Sequence, residues 1–187
     1  MRSRKAITFL CLLLLATISA TAASAQGLIV VDYAKLDRYW RVEPALVTME
    51  VGTSREEAFG CITVGFMIDR DGRMTAVRPL RRAFGKSVPP QRARELTMAV
   101  TNAAPMLARY ALVADNPNTA DVFTALTIPV IGRKRSAGMS QAQKDAVAAQ
   151  LRPSCEIVDL AAWVDGHDMI QEPNVEFAPE IDLSRGE

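Results

Sequence analysis

Histidine and cysteine are scarce in this chain: one histidine, His167, and three cysteines among 187 residues. A zinc site of those residue types needs four ligands at close spacing; no such cluster exists, so metal chemistry is not expected. A basic excess is missing too. Twenty-two Lys and Arg stand against 21 Asp and Glu, a formal charge of +1, which argues against a general nucleic-acid binder. Neither Ser136 nor Ser140 sits in a G-x-S-x-G context, no Gly-rich phosphate loop is present, and no repeat or low-complexity tract stands out. No cofactor is implied. What is present, 49% apolar and 23% charged residues, suits one domain with extensions rather than a disordered tail or a polytopic membrane protein.

The first segment reads as an address. Arg2, Arg4 and Lys5 precede an uncharged run from Ala6 to Val31, most apolar over Ile7 to Leu15 and ending Ala23-Ser24-Ala25. A basic start, a short greasy core and an Ala-x-Ala site describe a secretory signal peptide over residues 1–25, cut before Gln26. The competing reading is an uncleaved anchor, since the whole uncharged stretch is long enough to span a bilayer. Cleavage would take three cations from 22, leaving 19 against 21 acids, a net charge of −2. It also removes Cys11. The remaining pair, Cys61 and Cys155, is most simply a disulfide in an oxidising compartment, the alternative being two buried thiols.

The clearest structural signal begins at Gly60. Ile62, Val64, Phe66 and Ile68 fall on one face of a strand, with Cys61, Thr63, Gly65 and Met67 on the other. Asp69-Arg70-Asp71-Gly72 is a turn, and Arg73 to Arg78 reads as the returning strand, ending at Pro79. A helix follows from Ser87-Val88-Pro89-Pro90, its apolar face being Ala93, Leu96, Val100, Ala103 and Leu107, and Pro105 ends or kinks it. Val122 to Ile131 is a third strand, which Pro129 places at an edge or where pairing stops. Before Gly60, Leu28 to Val31 and Val47 to Val51 suit short strands, and Ser54 to Glu57 a helical turn. Gly132 to Gly138 looks like a linker, and Ser140-x-x-Gln143 is a capping box for a short helix to Leu151, stopped by Pro153. Residues 151–187 carry nine acids against two arginines, and the last stretch is expected to be poorly ordered.

Four features, taken together, resemble the C-terminal domain of TonB-type energy transducers. They are the glycine-led alternating strand Gly60 to Asp69, the return Asp71 to Val77, the helix Leu96 to Pro105 and the closing strand Thr127 to Ile131. The resemblance covers roughly residues 60–131. It implies an α+β fold: a small antiparallel sheet of about three strands on one or two helices, occupying 26–135, with 136–187 a helical, acidic and partly disordered extension. The aromatic that the family places before its helix-ending proline is Ala103-Ala104 here, and no Pro-rich linker follows the first segment. Energy coupling therefore does not follow from the fold.

A sheet of this kind can accept an extended peptide at an unpaired edge. The resemblance carries that role onto Val122, Thr124, Leu126, Ile128 and Val130, with an envelope protein such as an outer-membrane receptor segment as partner. The plainer reading is that residues 26–59 or the extension cover this edge. A second candidate surface is basic: Arg70, Arg73, Arg78, Arg81 and Arg82, joined by Lys86, Arg92 and Arg94. It would face an anionic partner, or be solvated, or lie under the acidic tail. An enzyme would have to use His167, in Asp165-Gly166-His167-Asp168, with a free Cys155. The expectation is instead a non-catalytic periplasmic binding protein, touching the membrane only if its first segment stays uncleaved. The alternative is a divergent anchored transducer.

Overall fold

The computed structural model describes residues 29–42, 48–52, 55–107, 110–112, 121–167 and 176–177. The segment expected to be a signal peptide, the Asp115–Asn118 loop, Ser54, Asp168 and most of 170–187 lie outside the described residues. In chain order, β1 (Ile29–Val30) leads through a 3-10 turn (Tyr33–Arg38) to β2 (Trp40–Val42) and β3 (Met49–Val51). The central hairpin comes next as β4 (Phe59–Ile68) and β5 (Met74–Phe84), then α1 (Pro90–Leu107), β6 (Tyr110–Leu112) and β7 (Val122–Gly132). The C-terminal part holds α2 (Arg133–Ser136), α3 (Gln141–Leu151), a 3-10 turn (Arg152–Ser154), α4 (Leu160–Asp165) and β8 (Glu176–Phe177). This is an α+β fold. Its main sheet runs β1-β7-β4-β5-β8 with β3 also on β7, while β2 and β6 make a separate antiparallel pair.

The hairpin forms where the alternation places it. Asp69 turns the chain: its Oδ1 accepts the Asp71 and Arg73 N–H groups, and Gly72 adopts φ 75°. A side chain at 72 would also collide with the Tyr110 carbonyl. The return strand, however, does not end at Pro79. β5 runs on to Phe84 because two register shifts each give it one residue more than β4, between Thr63 and Val64 and between Gly65 and Met67. The first shift turns Leu80 onto the same face as Ala83, so alternation counted through Pro79 assigns the end of β5 to the wrong faces.

The sheet is covered on both faces. On one, Ile62, Val64, Ile128 and Val130 pack against Leu96, Val100 and Ala104 of α1. The same face continues as Phe66, Ile68 and Val122 against Leu36, Trp40 and Tyr110. Each fully buried Leu, Ile or Phe here contributes roughly 1.5–3 kcal/mol. Ala104 rather than Ala103 meets the sheet, and Pro105 sits inside the last turn, where the helix stops two residues later.

The opposite face takes the C-terminal segment. Cys61 and Ala83 pack on Leu151 and Cys155, and Leu80 and Phe123 on Leu160 and Trp163. Cys61 and Cys155 form a disulfide, Cα to Cα 5.9 Å, and both are fully buried. Thr63 Oγ1 donates to the Cys155 carbonyl at 2.6 Å. That uses its one proton, so Thr127 is the donor in the 2.8 Å contact between the two hydroxyls. Residues 133–165 are thus the third layer of the same body as the sheet, rather than an appendage to it. Ser140 and Gln143 form the expected capping box, but the supposed linker contains α2, and Arg55 to Ala58 form no helical turn.

Candidate functional site

Where β7 can accept a strand depends on which way its backbone faces. The Phe123 carbonyl accepts the Val31 N–H on the β1 side, whereas the Gly132 N–H points the other way, to the Ala58 carbonyl. Antiparallel pairing alternates these directions residue by residue. The N–H and C=O groups of residues 123, 125, 127, 129 and 131 therefore face away from β4. β1 pairs in parallel at Val122 and Phe123, and β3 pairs in parallel at Val130 to Gly132. Between them, from Thr124 to Ile128, no strand of the described residues pairs with that side. The open window is about 17 Å long at the usual rise per residue. It presents both groups of Ala125 and both groups of Thr127, while the Pro129 carbonyl faces the Met49 N–H of β3. Proline fits here because its missing N–H would have pointed into the window, and pairing with Cys61 continues across it.

A cleft of about 430 Å³ opens beside this window. Ala125 to Thr127 and Thr63 line it on the sheet side, Asp32 to Lys35 form one wall, and Arg152 with Glu156 to Val158 and Leu160 form the other. Asp32 ties the two walls together: it accepts the Leu160 N–H at 3.1 Å and the Lys35 ammonium at 2.6 Å. Lys35 first, then the Leu160 N–H, hold its carboxyl below the usual carboxylate value. The Leu160 N–H is one of the orphan donors of α4, whose Ala162 N–H is taken by Asp159. Burial pushes the Tyr33 and Tyr110 hydroxyls behind this wall above the usual tyrosine range.

The side chains named from the sequence as the peptide-binding face do not form one. Val122, Thr124, Ile128 and Val130 are buried and Leu126 is half-buried, Ile128 and Val130 against α1 and Val122 against Leu36, Trp40 and Tyr110. The groups that can reach an incoming chain are the backbone atoms of the intervening residues. The short strands β1 and β3 lie within the segments 28–31 and 47–51 that the sequence suits to strands, but their parallel pairing with β7 is long-range and has no local signal.

The five arginines are dispersed as well. Arg70 and Arg73 lie at the hairpin turn, where Arg73 is 3.9 Å from Asp71. Arg78 lies over the Phe123 ring at 5.6 Å, and Arg81 donates to the Glu156 carbonyl, both on the disulfide face. Arg82 points the opposite way, buried against Thr97 of α1 at 3.4 Å. Burial first, and then Arg94, lower its pKa. These side chains serve three separate places. The acidic tail does reach β5: Glu176 and Phe177 pair in parallel with Arg81 and Arg82.

The Cys155–His167 enzyme pair is excluded, because the Cys155 sulfur is bonded to Cys61 and buried. His167 stacks on Trp163 with ring centroids 4.0 Å apart, and its Nδ1 donates to the Trp163 carbonyl at 2.6 Å. Among the described residues no three His, Cys, Asp or Glu converge as metal ligands, and no helix is long and apolar enough to cross a membrane. No protein-family model, curated protein or solved structure matches this chain.

Proposed function

We propose that the protein is an exported, non-catalytic binding module of the cell envelope, related in kind to the TonB C-terminal domain. It takes a short extended segment of another envelope protein, such as an outer-membrane receptor, as an added strand on β7. One observation carries the reading: the middle of β7 turns the backbone groups of Ala125 and Thr127, which no described strand pairs, toward a cleft, with β1 and β3 bounding the gap. The leader-like first 25 residues and a buried disulfide support a periplasmic setting. Titrating the labelled protein with peptides from receptor N-terminal segments should shift the Ala125 and Thr127 amides. Ala125→Pro, which removes one outward N–H and no bond to β4, should weaken binding at least about tenfold, one to two hydrogen bonds' worth. Unmoved amides at both positions with every such peptide would exclude the reading.

The uncharged run from Ala6 favours one other reading, a membrane-anchored transducer. Because β1 already belongs to the sheet at Ile29, such an anchor would end by Leu28. N-terminal sequencing of the exported protein separates the two: a chain starting at Gln26 has no anchor.

A further inference from the structure

Resting on the β7 window as a strand-accepting site, we infer that the bound chain continues past β1 into a second groove, where Arg38 receives an acidic side chain. An added strand cannot stay in the sheet beyond Thr124, because β1 occupies the ladder at Val122 and Phe123. A second groove, of about 460 Å³, begins there, with Val30 and Val31 of the β1 segment as one side and Tyr39, Asp159 and Ala161 among its other lining residues. The two grooves share Asp32, Lys35 and Val158, so the Asp32–Leu160 bridge is the partition between them. Val158, 87% exposed, stands on that partition and offers an apolar contact where the chain would bend over it.

The groove's charges decide what the continuation carries. Lys35 is paired with Asp32, and Asp159 is held as the cap of α4. Arg38 is exposed at the end of the 3-10 turn, and no described acid pairs with it. A carboxylate one to three residues beyond the window would meet this guanidinium. Such a contact at an exposed site is worth up to about fivefold in affinity.

The test uses the exported protein with its disulfide intact and synthetic probes. These are acetyl-Thr-Val-Thr-Val-Thr-amide and the same peptide lengthened at either end by Ser-Ser-Glu or Ser-Ser-Lys. The short probe should shift the Ala125 and Thr127 amides. Adding Ser-Ser-Glu at one end should also shift Val31, Arg38 and Ala161 and tighten binding about fivefold. In Arg38→Glu that advantage should pass to the Ser-Ser-Lys probe. Shifts at Ala125 and Thr127 with no gain from either extension, or an unchanged preference in Arg38→Glu, would overturn the continuation and leave the window standing. No shift at Ala125 and Thr127 with any probe would overturn the window, and the continuation with it.

Discussion

The two edges of the sheet are built differently, and the difference bears on where strand addition is proposed. β5 carries both register shifts, a positive φ of 49° at Ala76, Pro79 in its middle and the tail strand β8 beside Arg81 and Arg82. Bulges, proline and charge are the usual defences of an exposed edge. β7 pairs with β4 from Val122 to Ile131 without a shift, and its middle, Thr124 to Ile128, which no other described strand pairs, bears no charged side chain. What limits β7 is its neighbours, β1 and β3, which close both ends. One edge is guarded by its own shape; the other is bounded by the spacing of what covers it, which is where strand addition is proposed.

The largest perturbation should strike the wall of the open edge. Replacing Cys61 and Cys155 together by Ala should cost about 4–5 kcal/mol in the chain-entropy model for a loop of 94 residues, read by urea unfolding under matched conditions. Hydrogen exchange should then quicken first in residues 156–167, the segment that the bond holds beside β7. Equal protection there, with stability unchanged, would mean that the packing of Leu151, Leu160 and Trp163 suffices alone.

On the defended edge, Leu80→Ala should cost about 2–5 kcal/mol, because the register shift drives a fully buried side chain against Phe123 and Trp163. A loss under about 0.5 kcal/mol would show Leu80 facing solvent and the shift misplaced.

Asp32→Ala removes the tie between the cleft's walls and should cost about 1 kcal/mol, with Asn recovering part of it. Its pH dependence has a definite sign. The folded carboxyl titrates below its ordinary 3.8, so its contribution is complete above that pH and drains away as pH falls through the lower folded value. A carboxyl-carbon NMR titration giving a midpoint above 3.8 would contradict the bridge. Smallest of all, Ala76→Gly should raise stability by roughly 0.5–1 kcal/mol by relieving the left-handed backbone that a β-carbon disfavours.

The regular middle of the chain was legible because its signals are local. Ile62, Val64, Phe66 and Ile68 alternate, Asp69 to Gly72 turn, Leu96 and Val100 recur at helical spacing, and Ser140 and Gln143 cap α3 as their spacing predicts. The candidate site was legible only as a strand. Its proposed groups, the outward backbone of Ala125 and Thr127, come from pairing phase, and the cleft around them from segments between residues 32 and 160 meeting in space. The arginines were misread as one surface for a related reason. Arg81 and Arg82 are sequence neighbours, and adjacent strand residues face opposite sides of a sheet.

By itself the sequence determined the hairpin, the main helix and the closing strand, since periodicity and turn chemistry act over a few residues; it left Cys61 and Cys155 as a disulfide or two buried thiols, and the fold brings them together. Only the tertiary structure decided that residues 133–165 cover the second face, that β5 bulges while β7 does not, and that β1 and β3 stop short of each other. Those outcomes depend on long-range pairing of strands two or three residues long, whose stability comes from the partner they lie against rather than from any pattern of their own.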